Sequence, residues 1–122
     1  MSGTTKRRVY IAGPMTGIAN FNIEAFNDAE KMLKGSGYDV INPAGLFGRL
    51  ARAISSKEEV INQFYQLPIG SHAKAMIDME LALLRTCDAI YLLRGWRNSR
   101  GAKRELKEAI DNGLDILEER KS

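Results

Sequence analysis

Asp88-Ala-Ile-Tyr-Leu-Leu93, with the Arg94-Gly-Trp-Arg-Asn-Ser-Arg-Gly-Ala-Lys-Arg-Glu105 that follows it, is the stretch on which the fold turns. Its first part is a short apolar run rich in β-formers and closed by a glycine-bearing turn, the pattern of a buried strand. A helix is expected from about Gly101 to Asn112, with Gly113 just after it, and a further strand over Leu114-Asp-Ile-Leu117. Upstream, Arg8-Val-Tyr-Ile-Ala12, closed by Gly13-Pro14, reads as another buried strand. Between Asn22 and Lys34, Ile23, Phe26, Ala29, Met32 and Leu33 recur at helical spacing, and Gly35 and Gly37 supply a stop. Tyr38-Asp-Val-Ile41 is the strand after it, ended by Asn42-Pro43. Ser71 to Arg85 carries Met76, Ile77, Met79, Leu81, Leu83 and Leu84 and should be helical. Leu46–Ile54 and Lys57–Phe64 are each candidates for a short helix, with Pro68-Ile-Gly70 as a break. The alternation predicts one α/β domain over residues 1–122. It should be a flavodoxin- or Rossmann-like three-layer sandwich on a small parallel sheet of four or five strands, with right-handed crossovers.

Composition bounds the function without naming it. The 122 residues are 44% hydrophobic, 27% charged and 7% aromatic, which excludes a disordered or collagen-like chain. A net charge of +3 permits an anionic ligand, but the basic residues are not interleaved with aromatics outside Trp96. No nucleic-acid partner is therefore expected. A single cysteine, Cys87, excludes an intrachain disulfide framework, and its apolar surroundings suit a small core residue better than a nucleophile. One histidine, His72, argues against a histidine-based metal site or triad, so neither metal nor cofactor is expected. No apolar run approaches the ~20 residues that span a bilayer. The polar, basic Met1–Arg8 segment does not read as a signal peptide, so a cytoplasmic protein without a membrane partner is expected.

Parallel sheets bind ligands outside the carboxyl ends of their strands, at the topological switch point. After the first strand come Gly13-Pro14-Met15-Thr16-Gly17 and then Asn20-Phe21. Two glycines and a threonine let backbone N–H groups approach an anion, although a plain turn explains them too. The loop is neither a Walker loop nor a G-x-G-x-x-G fingerprint. After the third strand, Trp96, Asn98, Ser99, Arg100 and Gly101 stand among arginines. Ser99 is placed to cap a helix, and capping alone would account for it. Glu105 falls in the first turn or so of that helix, where the dipole favours its ionised form and suits it to act as a nucleophile. A solvated helical glutamate is the simpler alternative. Asp78 interrupts an apolar helical stretch and could face either Arg85 and solvent or the strand ends.

These residues resemble the nucleoside 2-deoxyribosyltransferase superfamily. The resemblance rests on Val9-Tyr10-Ile-Ala-Gly13-Pro14-Met-Thr-Gly17, on Asp78…Asp88 before an apolar strand, and on Ser99-Arg-Gly101-Ala-Lys-Arg-Glu105. Gly95-Trp96…Ser99…Gly101-Ala102…Glu105 looks most like a small, functionally unassigned branch, often phage- or prophage-borne. The chain is also similar to 2′-deoxynucleoside 5′-monophosphate N-hydrolases. The likeness covers about residues 8–43 and 71–117, and residues 45–70 have no counterpart.

The resemblance implies cleavage of the N-glycosidic bond of a 2′-deoxynucleoside or its 5′-monophosphate, by hydrolysis or by transfer to another base. It implies Glu105 as nucleophile at C1′, Tyr10 as the tyrosine that positions it, and Asp78 as the aspartate that helps protonate the departing base. Glu105 should stay ionised at its helix N-terminus. Six places before the glutamate the transferases tend to carry an acid and the monophosphate hydrolases a serine; here Ser99, flanked by Arg97 and Arg100, favours the monophosphate. Glu105 is followed by Leu106-Lys107 rather than the family's Leu-Gly pattern, which makes this helix face more basic. A homodimer or higher oligomer with shared active sites is implied as well. A catalytically silent nucleotide-binding protein on the same fold is the other function weighed.

Overall fold

The computed structural model describes residues 6–15, 22–44 and 69–120. In chain order these form strand β1 (Arg8–Ala12), helix α1 (Ile23–Gly35), strand β2 (Asp39–Ile41), helix α2 (Ile69–Arg85), strand β3 (Ala89–Leu92), helix α3 (Arg100–Asp111) and strand β4 (Asp115–Glu118). A 3-10 turn, Trp96–Asn98, joins β3 to α3. The expected strands and helices fall within a few residues of these bounds. Ile69 and Gly70, read from the sequence as part of a break, already belong to α2. The candidate short helices Leu46–Ile54 and Lys57–Phe64 lie outside the described residues.

The described strands make one all-parallel sheet in the order β2-β1-β3-β4. The fold is thus α/β, a Rossmann- or flavodoxin-like sandwich. β1 and β3 are central and apolar throughout because both of their faces are covered. Val9, Ile11, Ala89 and Tyr91 pack with Phe26, Ala29 and Leu33 of α1 on one side. Tyr10, Ala12, Ile90 and Leu92 pack with Leu84 of α2 and Ala102 and Ala109 of α3 on the other. The chain moves from β1 to β2 in one direction with α1 on one face, then from β2 to β3 to β4 in the other direction with α2 and α3 on the opposite face. Reversing both direction and face preserves the hand of every crossover. The reversal also puts the switch point between β1 and β3.

Local chemistry sets the ends of these elements. Ser99 caps α3, its Oγ accepting the Ala102 N–H at 3.1 Å. Gly37, at φ 95°, closes α1 after Lys34. At the amino-terminal edge, Asp88 accepts the Arg8 backbone N–H at 2.8 Å, and Arg8 pairs with Asp39 at 2.9 Å. Asp88 thus ties the start of β1 to the start of β3. These ties line a polar cleft of about 450 Å³ between Lys6, Arg8, Asp39, Thr86 and Asp88, at the sheet edge away from the switch point. Cys87 is buried, and burial pushes its thiol up to about 11, which makes it a poor nucleophile. Among the described residues no helix is long and apolar enough to cross a membrane.

The two loops at the switch point touch. A Cβ at Gly13 would stand 2.7 Å from Leu93 Cβ and 2.8 Å from its Cδ1. A Cβ at Gly95, itself at φ 90°, would stand 3.3 Å from Pro14 Cγ. Gly13→Ala is therefore expected to lower stability by about 1–3 kcal/mol through overpacking, read as a lower urea midpoint at unchanged slope.

Candidate functional site

Three elements bring three side chains together beneath this crevice. Tyr10 is fully buried in mid-β1 and faces the α2–α3 layer. Its hydroxyl donates to Glu105 Oε2 on α3. Glu105 is only 8% exposed, which for a carboxyl demands a compensating partner. Glu80, half-buried on α2, adds a second acid whose charge raises the Glu105 carboxyl further. Arg104 stands nearby as the cation that offsets the two acids. Tyr10 and Glu105 thus meet as the resemblance implied, although 95 residues separate them.

Two expectations change. Glu105 is the sixth residue of α3, beyond the first turn in which a helix dipole acts strongly. Burial, with Glu80 adding to it, pushes its carboxyl up to about 8 against the pull of Tyr10 and Arg104. Without a ligand it is a protonatable acid at neutral pH, not the ionised helical carboxylate the sequence suggested. Asp78 is exposed on α2, and the acid that this helix turns towards Glu105 is Glu80. Arg85, the solvent-side partner considered for Asp78, pairs instead with Glu108 of α3 at 2.6 Å. The signal for Glu80 was present in the sequence: it falls in the stripe Ile77, Leu81, Leu84, at the spacing that faces a helix inward.

Burial raises the pKa of Glu80 as well, and that of Tyr10 far above the ordinary phenol range, so the tyrosine remains a neutral donor. Tyr10→Phe removes that donor and leaves a buried carboxyl oxygen unpaired. The expected outcome is a loss of about 1–3 kcal/mol, with the Glu105 titration moving further upward. Denaturant unfolding and carbon-13 NMR of the glutamate carboxyls measure the two effects.

Around the mouth, Gly13, Pro14 and Met15 are half-buried at the carboxyl end of β1. Asn22 Nδ2 donates to the Pro14 carbonyl at 3.0 Å and ties that loop to the start of α1. Thr16, Gly17, Asn20 and Phe21 lie outside the described residues. Trp96 is half-buried against the α2–α3 core, Gly101 is half-buried, and Asn98 and Arg100 are exposed. The arginines are less free than the sequence suggested. Arg97 stacks on the Trp96 ring at 4.7 Å and lies 3.5 Å from Glu118 Oε1, which also accepts the Trp96 Nε1–H at 3.2 Å. The Arg94 backbone N–H donates to Glu119 at 2.6 Å, and its guanidinium donates to the Arg120 carbonyl at 3.2 Å. The acids after β4 thus offset part of the positive cluster, though such exposed pairs are weak and displaceable.

A family model described as Domain of unknown function (DUF4406) matches residues 7–118. No curated protein matches the chain.

Proposed function

We propose, for a chain that belongs to the DUF4406 family, that it cleaves the N-glycosidic bond of a 2′-deoxynucleoside 5′-monophosphate, with Glu105 as the nucleophile. The observation that carries this reading is the buried Glu105 carboxyl, held by the Tyr10 hydroxyl and faced by a second acid. A pair of acids in an apolar layer is a poor stabilising device, because well-packed hydrophobic residues would serve at least as well. It is a good device for glycosyl chemistry. The transition state at C1′ is oxocarbenium-like, so a carboxylate beside it stabilises the charge and can trap the sugar covalently. A base departs readily only when protonated, which calls for an acid close by. Tyr10 orients the nucleophile and cannot itself ionise.

The substrate's anionic end is assigned to the α3 N-terminus. Ser99 accepts from the Ala102 N–H there, which leaves its own hydroxyl proton to donate outward. Arg100, with Arg97 once Glu118 gives way, adds positive charge to the helix N-terminus, and a phosphate suits both. Trp96 offers a face for the base or sugar. Water as acceptor makes the protein a hydrolase, and a second base makes it a transferase; a second copy of the chain is proposed to complete the pocket.

Incubation with the deoxynucleoside 5′-monophosphates, followed by chromatography, should show release of free base from at least one. Faster release from the unphosphorylated deoxynucleosides would remove the phosphate assignment. Calorimetric binding with no base released would replace the enzyme by a nucleotide-binding protein.

A further inference from the structure

Two donors at the carboxyl end of the sheet already hold an anion, and that anion belongs to the chain. Glu118 Oε1 accepts the Trp96 Nε1–H at 3.2 Å and lies 3.5 Å from the Arg97 guanidinium, which stacks 4.7 Å over the same indole ring. Stacking holds the guanidinium against the ring, so an indole edge and a cation converge on one oxygen. An oxygen shared by an N–H and an arginine is what a phosphate also accepts. Glu118 reaches this pair with its side chain alone. Its backbone is fixed at the end of β4, opposite Leu92 of β3, and the next N–H, of Glu119, donates to the Leu92 carbonyl at 2.8 Å. The Glu118 side chain is 48% exposed and that of Arg97 67%, so a change of rotamer frees the donors while the strand stays in place. We propose that the Glu118 carboxylate is a built-in competitor: it fills the Trp96–Arg97 pair in the free protein and gives way to the phosphate of a phosphomonoester.

The inference deepens the nucleotide reading and rests on it only for what carries the phosphate. Trp96 and Arg97 open the turn Trp96–Asn98, and Ser99 and Arg100 follow it at the head of α3. The donors that Glu118 vacates therefore adjoin, in the chain, those assigned to the phosphate. The exchange selects by charge. A neutral ligand cannot replace the carboxylate, because the arginine would lose an ionic partner and gain none. A dianion supplies a stronger partner and is relieved of a negative neighbour as Glu118 swings away. Exposed pairs of this kind are weak, so the competitor lowers the apparent affinity by a modest factor and does not close the site. Glu119 makes the contrast. Its carboxylate accepts the Arg94 backbone N–H at 2.6 Å, a bond outside the Trp96–Arg97 pair. A bond that merely fastened β4 to the turn would not yield to phosphate.

Trp96 is the one tryptophan of the chain, so its indole N–H gives a single resonance in nitrogen-15 NMR spectra and reports the exchange directly. Inorganic phosphate, titrated at constant ionic strength against chloride, should move that resonance along a saturable curve. Glu118→Gln keeps an acceptor for the indole but removes the competing charge, and should tighten phosphate binding about 3–10-fold. Glu119→Gln changes the net charge equally and should alter the affinity by less than about twofold. A wild-type resonance that phosphate leaves in place overturns the competitor, and so do equal gains from the two variants. A deoxynucleoside 5′-monophosphate and the same deoxynucleoside without its phosphate form the second arm. Glu118→Gln should tighten the first and leave the second unchanged; a gain on both overturns the selection by charge. Binding of inorganic phosphate without binding of any deoxynucleotide overturns the nucleotide reading, while the competitor stands.

Discussion

Glu105→Gln is expected to abolish base release, with a loss of at least about 10³-fold in turnover and little loss of substrate binding. The replacement keeps the shape of the side chain and an oxygen that can accept from Tyr10, so the α3–β1 contact survives. What disappears is the ability to carry negative charge beside C1′ and to form an ester there. Since that interaction exists only in the transition state, the loss should fall on kcat rather than KM. Single-turnover measurements with wild-type protein should trap a deoxyribosyl ester on Glu105, detectable as an added mass on the peptide that contains it. A Glu105→Gln protein releasing base at the wild-type rate would sink the assignment.

The same residue should dominate how stability depends on pH. Its carboxyl titrates at about 8 in the folded protein, whereas in the unfolded chain it has the ordinary value near 4.5. Between these values the folded state holds a proton that the unfolded state has given up, so stability falls as pH rises. The contribution is fully present below about 4.5 and is lost once pH has passed about 8. The loss should be on the order of a few kcal/mol, a large part of a small domain's margin. Glu105→Gln has no charge to bury and should flatten this slope. It should match the wild type in acid and exceed it above pH 8, where the native protein must hold a buried carboxylate. Urea titrations at intervals across that range read the difference directly. A wild-type protein whose stability is level or rising between pH 5 and 8 would contradict the buried pair.

The two predictions lean in opposite directions: the residue proposed as nucleophile is one that the fold holds at a cost once it is ionised. Burial favours the protonated form of Glu105 and makes its carboxylate destabilising at high pH. A protein selected only for stability would fill the space between β1, α2 and α3 with aliphatic side chains.

Much of this was legible along the chain. The runs Val9–Ala12 and Ala89–Leu93, apolar at successive positions, read as buried strands, and the alternation of strands with helices implied a parallel sheet. Cys87 as a core residue and Ser99 as a cap followed from their neighbours alone. Tyr10 and Glu105 were singled out together by the family resemblance, since the residues alone left Glu105 open to being a solvated helical glutamate. Local sequence carries such features because strand and helix periods, turn residues and caps act over a few positions.

Three matters depended on tertiary placement. Asp78 and Glu80 lie about 200° apart around one helix, so packing alone decides which of them α2 presents to α3. The Arg85–Glu108 contact and the burial of Leu84 set that rotation, and they choose Glu80. The charge state of Glu105 likewise arises from what closes over it: the dipole argument was local, whereas the burial and the second carboxyl come from other elements. The arginines after β3 read as a free anion site until β4 lay beside β3 and set Glu118 and Glu119 against Trp96, Arg97 and Arg94. Strand order and helix positions are short-range consequences of periodicity, but pKa values and charge partners are sums over neighbours distant in sequence, and those exist only once the chain has folded.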